Sequence, residues 1–475
     1  MTRRGEYDAV VIGSGPNGLA AAITLARAGK SVVVFEAADE IGGGTRSAEL
    51  TLPGFVHDVC SAVHPMGAAS PFFRELPVAQ HGLDWIHPPL CVAHPLDGGR
   101  AAILDRDIEK TCAALGADGL TWRRLVGSLA KNWPKLEDVT TGPIGLPKHP
   151  FAAAAFGVHA IQSAISITRG RFATEEARAL IAGLAAHSLE PLDSLGTGAV
   201  ALVFAVVGHV YGWPIPRGGS QKIADALASY LIELGGEIVM GVRVRSLSEL
   251  PTTRATLCDT SVPGLMEIAG SEMPASYRAA LEKFNLGMGV FKVNWALSAP
   301  IPWAAAECRA AGTVHVGGTL EEIAVCENDV NLGKVPERPF VLMAQSSLFD
   351  STRAPAGKHT GWGYCHVPAG CDVDMTERIE AQIERFAPGF RDVILARSTR
   401  GPAELERENP NLIGGNVTGG ANTLRQILLR PTVRQYSTPV RGLYLCSAST
   451  PPGGGVHGMC GYHAASRALK FLGGR

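Results

Sequence analysis

The features that would place this chain in several other classes of protein are missing. Its 475 residues include ten cysteines, but none stand in a Cys-x-x-Cys spacing, and no His-Glu-x-x-His segment occurs. We therefore expect no bound metal. The start, Met1–Tyr7, has no secretory leader, so we expect reduced thiols in a cytoplasmic protein. Lys and Arg total 43 against 44 Asp and Glu, a balance that argues against nucleic acid as a partner.

Long apolar runs are also scarce. Stretches 151–167 and 198–207 are the most apolar, and both fall short of the roughly 20 residues that cross a bilayer. Buried core helices are one interpretation of both stretches. The alternative for 151–167 is a helix on a membrane surface, since Lys148, Arg169 and Arg171 flank it. The formal net charge of −1 is compatible with a homo-oligomer.

The most informative segment that is present lies near the N-terminus. An apolar run at 9–12 is followed at once by Gly13-x-Gly15-x-x-Gly18 and a helical stretch. Gly13 permits a tight turn, Gly15 lets the backbone approach a pyrophosphate, and Gly18 lets helix and strand pack closely. The free N–H groups of the helix start suit phosphate. This loop, which includes Ser14, Pro16 and Asn17, predicts a bound dinucleotide.

The next strand supports the same prediction. The apolar run 32–35 ends on Glu36, whose carboxylate can accept hydrogen bonds from ribose hydroxyls, with Ala37 beside it. A second glycine-rich bend follows, and it would bring further N–H groups and a guanidinium towards the same anion. The residues of that bend predicted to contact the cofactor are Gly43, Gly44, Thr45 and Arg46.

Two later segments complete the predicted cofactor domain. An amphipathic helix beginning near 221 leads through Gly235-Gly236 into a strand predicted at 237–244, with Val244 placed against the adenine. Near the C-terminus an apolar strand runs into a Pro-Pro-Gly-Gly-Gly turn and a helix. Partial positive charge at that helix start would stabilise an anionic reduced flavin. The turn residues predicted to face the flavin are Gly453, Gly454, Gly455, Val456 and His457.

The predicted fold is α/β: a discontinuous Rossmann-like FAD-binding domain with a second, α+β substrate domain built on a mixed sheet. We expect the first domain at 1–75, 215–262 and 430–475, and the substrate domain at 76–214 and 263–429. Substrate-domain strands are predicted at 313–316, 340–345 and 364–367. The charged helix 374–386 is interpreted as a solvated face. No second strand–GxGxxG–helix segment occurs, so we expect no dedicated NAD(P) domain.

These motifs resemble those of one family of flavoproteins. Glu36-x(5)-Gly-Gly-x-x-Arg46 is similar to the FAD-binding fold of amine oxidases and phytoene desaturases. The stretches 442–459 and 384–390 look closest to the phytoene-desaturase-like branch, within the subgroup of pyridine nucleotide-disulfide oxidoreductase domain-containing protein 2. The resemblance implies FAD as cofactor and an apolar substrate in a flavin-facing pocket. Ser447-Ala448 replaces the Gly-Glu of amine oxidases, which favours the desaturase branch.

Three residues are candidates for the chemistry. Lys292, on an apolar segment that resembles the amine-oxidase strand, would hold a water at flavin N5; its alternative is an edge-strand lysine in solvent. His457 is the first candidate base, and its alternative is a structural histidine that hydrogen-bonds the turn. His64 is a second candidate. Cys460 could tether the flavin, although a buried small thiol is the default interpretation.

The expected reaction is hydride transfer from an apolar, isoprenoid or lipid-like substrate to flavin N5, with reoxidation by O2 or a quinone. Three alternatives stay open at this point. The first is a redox-neutral isomerase of polyenes that uses reduced flavin, and the second is an amine oxidase. The third is a non-enzymatic module that binds prenyl groups or proteins on the same fold.

Overall fold

The computed structural model describes residues 5–473. Its strands are β1 Glu6–Ile12, β2 Val32–Phe35, β3 Ser47–Glu49, β4 Val56–Asp58, β5 Trp85–Ile86, β6 Leu90–Leu96, β7 Arg100–Leu104, β8 Ile215–Pro216, β9 Glu237–Val239, β10 Thr252–Cys258, β11 Gly289–Leu297, β12 Ala311–Val316, β13 Val341–Ala344, β14 His359–Val367, β15 Ile394–Arg400 and β16 Leu443–Leu445. Its α-helices are α1 Pro16–Arg27, α2 Pro65–Ala69, α3 Pro71–Glu75, α4 Ile108–Ala114, α5 Gly119–Trp122, α6 Ser128–Lys131, α7 Trp133–Thr141, α8 Pro150–Ala160, α9 Ala164–Arg171, α10 Glu175–Ala186, α11 Thr197–Val210, α12 Gln221–Glu233, α13 Val262–Ala269, α14 Ala275–Leu281, α15 Leu320–Asn331, α16 Thr376–Phe386, α17 Pro402–Glu408, α18 Leu424–Leu428 and α19 Met459–Gly473.

Five short apolar strands form a parallel sheet in the order β16–β10–β1–β2–β9. Both faces are buried, which is why these strands read as continuous apolar runs. Helices α1, α12 and α19 cover one face, and α13 and α14 cover the other. The chain runs from β1 to β2 and β9 on one side and then crosses to β10 and β16 on the other side of β1. Ligands of such sheets bind beyond the carboxyl ends of the strands at this point.

Two predictions about this region need correction. The strand predicted at 237–244 ends at Val239, because the chain turns at Gly241, which has a φ of +70°. The amides of Gly241 and Val242 then bond back to the loop after β2. The predicted domain boundary at 262 divides α13, whose apolar side packs on the parallel sheet together with α14.

A seven-stranded sheet faces the first, in the order β15–β11–β14–β13–β12–β6–β7. Its pairings are antiparallel except for β6 with β12. One face packs on α10 and α11, and the other on α16. The predicted strands at 313–316, 340–345 and 364–367 lie in β12, β13 and β14.

Helix α16 is less solvated than its charges predict. Glu380 is 1% exposed and accepts hydrogen bonds from the indole of Trp295 and from Arg397. A glutamate is tolerated in that position because these donors replace water. The interpretation of the whole helix as a solvated face is therefore wrong at this residue.

The two apolar stretches differ in burial. Helix α11 packs into the core, as the core interpretation predicts. Helix α8 packs on the same core only along one edge, because Phe156 alone among its residues is buried and Phe151 is 90% exposed. Within residues 5–473 no single helix is long and apolar enough to span a membrane, although α8 and α9 pass that test together as a pair bent by 87°.

Candidate active site

A cavity of about 890 Å³ lies between the two sheets. One side is formed by the loops beyond β1, β2 and β10 of the parallel sheet. The opposite side is formed by strands of the seven-stranded sheet and by α11. We call this opposite side the aromatic side, and it consists of His187, Phe204, Trp213, Leu342, Trp362 and Tyr364. A single cavity thus joins the predicted cofactor loop to an apolar wall.

The glycine loop after β1 leaves no room for side chains. Gly13 has a φ of +100°, which favours glycine. A Cβ on Gly15 would lie 2.7 Å from Asp259 Oδ2, and one on Gly18 would lie 2.0 Å from the carbonyl oxygen of Gly13. Helix α1 begins at Pro16 with its first N–H groups at this loop. Pro16 has no N–H and Gly18 donates its own to Asp259, so Asn17 carries the N–H of this helix start that a pyrophosphate would meet.

Glu36 is held at the end of β2, on the cavity wall. Its Oε2 accepts hydrogen bonds from the amide of Ser14 at 2.8 Å and from the hydroxyl of Ser14 at 2.6 Å. Its Oε1 accepts the amide of Ala38 at 2.9 Å. The carboxylate is therefore fixed in place, with acceptor capacity left for hydroxyl groups of a ligand.

The second glycine bend lines the same part of the cavity. Residues Gly43–Thr45 form one 3-10 turn, and Arg46 follows it. The guanidinium of Arg46 donates to the carbonyls of Gly43 and Glu408 and to the carboxylate of Glu40. Its contact with a pyrophosphate stays a prediction. Val244 is buried and lines the cavity.

The Pro-Pro-Gly-Gly-Gly turn reaches the cavity only in part. Gly455 and Val456 line it, whereas Gly453 packs against Arg430 and Gly454 against the backbone of Thr418. Helix α19 begins at Met459, whereas the sequence predicts a helix start at the three glycines of the turn.

His457 is buried behind this turn and is not among the cavity-lining residues. Its Nδ1 accepts the amide of Met459, and its carbonyl accepts the hydroxyl of Ser70. Burial lowers the pKa of His457 to about 4. These contacts match the structural alternative, and the candidate base role is not supported by this position. Cys460 is also buried, donates its thiol to the carbonyls of Thr450 and Gly453, and does not line the cavity.

Lys292 lies on the cavity wall in β11 and is 2% exposed. Its Nζ donates to the carbonyl of Asp58 at 2.8 Å and to Oδ1 of Asn294 at 2.7 Å. The ring of Trp362 lies 5.5 Å from Nζ. An ammonium has three donors, so one remains for a water or ligand in the cavity. Burial lowers the pKa of Lys292 to about 7. The solvent-facing alternative for this lysine is wrong; its role at flavin N5 stays a prediction.

His64 also lines the cavity. The hydroxyl of Ser220 donates to the carbonyl of Ser61, so it must accept from Nε2 of His64, 2.8 Å away. That contact places the proton on Nε2 and leaves Nδ1 as a buried acceptor without a partner. Burial lowers the pKa of His64 to about 4. A neutral imidazole with a free lone pair fits a candidate base, and the role itself stays a prediction.

A buried ion pair supports the loops behind Lys292. Asp58 and Arg353 are each 1% exposed and lie 2.7 Å apart. Burial alone would raise the pKa of the Asp58 carboxyl, but the guanidinium of Arg353 holds it below its usual value. Asp58 also accepts from Ser47 and from the amide of Ser220. The pair fixes the carbonyl that holds Lys292.

Two functional positions were not predicted from the sequence. Asp259 follows β10, lines the cavity and accepts the amide of Gly18 at 2.8 Å. Its one sequence signal is an acid directly after an apolar strand. His187, on the aromatic side, carries no local signal at all. No group of three or more His, Cys, Asp or Glu side chains in the described part of the chain could hold a metal ion.

The residues present fit a dinucleotide with a flavin end. The glycine loop excludes side chains from the phosphate region, Glu36 offers acceptors for a ribose, and Lys292 projects from the opposite wall.

Comparison with known proteins agrees with this geometry. A family model described as an NAD(P)-binding Rossmann-like domain matches residues 11–76. The chain is 26% identical to pyridine nucleotide-disulfide oxidoreductase domain-containing protein 2 of Rattus norvegicus, over 98% of this chain and 94% of that protein. It is 23% identical to one of the subunits of limonene dehydrogenase from Castellaniella defragrans, over 100% of this chain and 96% of that protein.

Partial and structural matches extend the picture. A phytoene desaturase of Rhodobacter capsulatus is 26% identical over 51% of each chain. The solved structure of putrescine oxidase bound to putrescine superposes with a TM-score of 0.63 at 16% identity, covering 99% of both chains. These similarities confirm the predicted resemblance and the predicted α/β fold class. The named relatives include oxidoreductases, dehydrogenases and a desaturase.

Proposed function

We propose that this chain binds FAD in the cavity between its two sheets and oxidises an apolar substrate held against the aromatic side. The observation that carries the proposal is the continuity of one cavity from the Gly13–Gly18 loop to Lys292. FAD, when bound, supplies the two-electron chemistry by accepting a hydride, with O2 or a quinone as the final acceptor. The chain supplies the binding, the orientation and the local charge.

The cofactor would be held at three places. The α1 start and the Gly43–Thr45 turn would face the pyrophosphate, Glu36 a ribose, and Gly455 with Val456 the flavin end. Helix dipoles favour negative charge at the first of these places. FAD rather than NAD(P) is supported by the second glycine bend, which lines the same part of the cavity as the first.

Lys292 and His64 are the polar groups that we propose for the reaction. The ammonium of Lys292 has a free donor in a largely apolar wall, where a charge acts strongly because little water screens it. Nδ1 of His64 has a free lone pair that can accept a proton, but burial lowers the pKa of His64 to about 4 and so makes it a weak base near neutral pH. Asn294 and the Asp58 carbonyl orient the lysine.

An apolar substrate is supported by the wall that it would touch. Phe204, Trp213 and Trp362 line this side together with aliphatic residues. Two relatives are named for limonene and phytoene, which agrees with such a substrate. No carboxylate stands among the six residues of the aromatic side, which disfavours a cationic amine there.

The proposal is tested by mixing the flavin-loaded protein anaerobically with limonene, with an acyclic polyene and with putrescine. Bleaching of the flavin absorbance by a hydrocarbon supports the proposal. Bleaching by putrescine alone would indicate an amine oxidase. Conversion of the polyene to a geometric isomer only after prior reduction of the flavin, with no oxidant consumed, would indicate the isomerase.

We further propose that the protein meets an anionic lipid surface through the segment 142–171. Leu146 is 100% exposed and Phe151 is 90% exposed, with Lys148 between them in the chain, and Arg169 and Arg171 lie in the last turn of α9. Apolar side chains beside basic ones are typical of helices that lie on membranes. Helix α8 packs on α11, which carries Phe204 to the cavity. A lipid-like substrate would therefore be close to its source.

A further inference from the structure

Three imidazoles lie in a row beside the aromatic side of the cavity. Nε2 of His187 lies 3.0 Å from Nε2 of His315. The ring of His94 stands edge-on to that of His315, with the two centroids 6.3 Å apart. His94 and His315 are completely buried, whereas His187 is half-buried and lines the cavity. The proposed reaction uses none of them.

The proton of His94 is located by its neighbour. Nε2 of His94 lies 2.7 Å from the carbonyl oxygen of Gly318, which can only accept. Nε2 therefore carries the proton, and Nδ1 is a lone pair. Nδ1 of His94 and Nδ1 of His315 are both buried without a hydrogen-bond partner.

Gly183 of α10 indicates which ring nitrogen of His315 carries the proton. A Cβ on Gly183 would lie 2.6 Å from Nδ1 of His315 and 2.8 Å from Nδ1 of His94. The C–H bond that takes the place of that Cβ is directed at a point within 3 Å of both nitrogens. A C–H group is a weak donor and complements a lone pair, not an N–H. A proton on Nδ1 of His315 would be a buried N–H with no acceptor, which is the rarer defect in folded proteins.

The proton of His315 is therefore on Nε2, and this fixes His187 in turn. Nε2 of His315 donates, so Nε2 of His187 accepts. A neutral His187 then carries its proton on Nδ1. That nitrogen has no hydrogen bond to any residue of 5–473 and, unlike Nδ1 of His94 and of His315, is not sealed from the cavity.

We propose that Nδ1–H of His187 is a hydrogen-bond donor for the ligand of this cavity, which is an apolar molecule bearing a neutral oxygen acceptor such as a carbonyl. This inference rests on the proposed function and specifies the substrate class of the same site. The rings of Phe204 and Trp213, with centroids 4.7 Å and 5.5 Å from that of His187, exclude water around the donor. Burial lowers the pKa of His187 to about 3, so the group stays neutral at physiological pH.

The probes are carvone and limonene, which share one carbon skeleton and differ by a carbonyl oxygen. Equilibrium dialysis of each against the flavin-loaded protein, without O2 and with the probe in excess so that oxidation stops after one turnover, gives two dissociation constants. The measured quantity is the change in carvone affinity upon substitution, divided by the change in limonene affinity. Loss of one hydrogen bond changes this ratio about 2- to 10-fold.

Three substitutions of His187 separate its two nitrogens. The amide nitrogen of Asn corresponds to Nδ1 of His, and that of Gln to Nε2. His187→Asn should retain the preference for carvone, whereas His187→Gln and His187→Leu should lose it by that factor. His94→Gln is the matched control, because it retains the donor to Gly318 and does not line the cavity, and it should leave the ratio unchanged.

The outcomes distinguish this inference from the proposed function. An equal weakening of both probes by His187→Leu would show a packing role and overturn the inference, as would an unchanged carvone affinity in His187→Gln. If His187→Leu does not fold, the contrast between Asn and Gln decides alone. A protein that retains FAD but shows no altered ratio contradicts only this inference. Purification of a protein that contains no FAD and takes up none would contradict the proposed function. Dialysis of that FAD-free protein would still give the ratio of the carvone and limonene affinities and so test this inference separately.

Discussion

Asp259 accepts the backbone N–H of Gly18 at 2.8 Å and thereby joins the end of β10 to the first turn of α1. The same carboxylate oxygen lies 2.7 Å from the position of a Cβ on Gly15. Two segments that are distant in the chain thus close the phosphate end of the cavity together. The resulting contact makes both the glycine and the carboxyl group testable.

Substitution of Gly15 should abolish cofactor retention. In Gly15→Val the side chain would meet Asp259 and would occupy the space beside the helix start, where the pyrophosphate is proposed to bind. We expect the purified variant to lack flavin absorbance. Gly157→Ala, on a helix where a Cβ meets nothing within 4 Å, is the control and should retain flavin fully. A fully loaded Gly15→Val protein would show that the cofactor site is misplaced.

Asp259 should make stability depend on pH. Burial raises the pKa of its carboxyl to about 7 in the folded chain, from an ordinary value of 3.8. Between these two values the folded state holds a proton that the unfolded state releases, so stability falls as pH rises. In Asp259→Asn this loss disappears.

Urea unfolding near pH 5 and near pH 8 checks that prediction. The variant should gain about 2–3 kcal/mol in free energy of unfolding relative to the wild type over this interval. Asp193→Asn, at an exposed position, is the matched control and should behave as the wild type at both pH values. If the free energy of unfolding changed equally between pH 5 and pH 8 in Asp259→Asn and in the wild type, the buried and protonated carboxyl would be contradicted.

Lys292 should set a pH dependence of the flavin half-reactions. Because burial lowers its pKa to about 7, the ammonium form is lost as pH rises through that value. We expect reoxidation of the reduced protein by O2 to slow above about pH 7 in the wild type. Lys292→Met should be about tenfold slower at low pH and independent of pH, with flavin retained. Stopped-flow absorbance gives these rates, and Lys222→Met, on an exposed helix face, is the control. Unchanged half-reactions would remove Lys292 from the mechanism.

Negative charges introduced into the segment 142–171 should abolish its binding to an anionic lipid surface. Phe151→Asp, combined with Leu146→Asp, puts carboxylates where apolar side chains are proposed to enter the headgroup region. Co-sedimentation with vesicles containing phosphatidylserine should fall about tenfold or more. Ile232→Asp replaces another exposed apolar residue, on α12 outside the segment 142–171, and should leave sedimentation unchanged. Equal binding by all variants would argue against this surface.

The parts of the fold that the sequence predicts are local. The succession of β1, the glycine loop and α1 depends only on neighbouring residues, because each glycine is required by a steric contact with an atom close to it in the motif. The same holds for Glu36 at the end of β2. Helix α12 is predicted by its own apolar periodicity.

The parts that were missed depend on long-range packing. Asp259 acquires its role because β10 pairs with β1, a partner far away in the chain. Glu380 is buried because Trp295 and Arg397 converge on it. His457 lies in a glycine-rich turn that local pattern places at the flavin, yet its ring bonds to the start of α19. None of these contacts has a spacing signal in one sequence.

The most direct test of the account is the visible absorption spectrum of the purified protein, recorded before and after denaturation. We predict flavin bands that move entirely to the supernatant, with the released compound identified as FAD by chromatography. Bands that stay with the precipitate would mean a covalent link, contrary to the burial of Cys460 away from the cavity. A colourless protein that takes up no added FAD would contradict the proposed function.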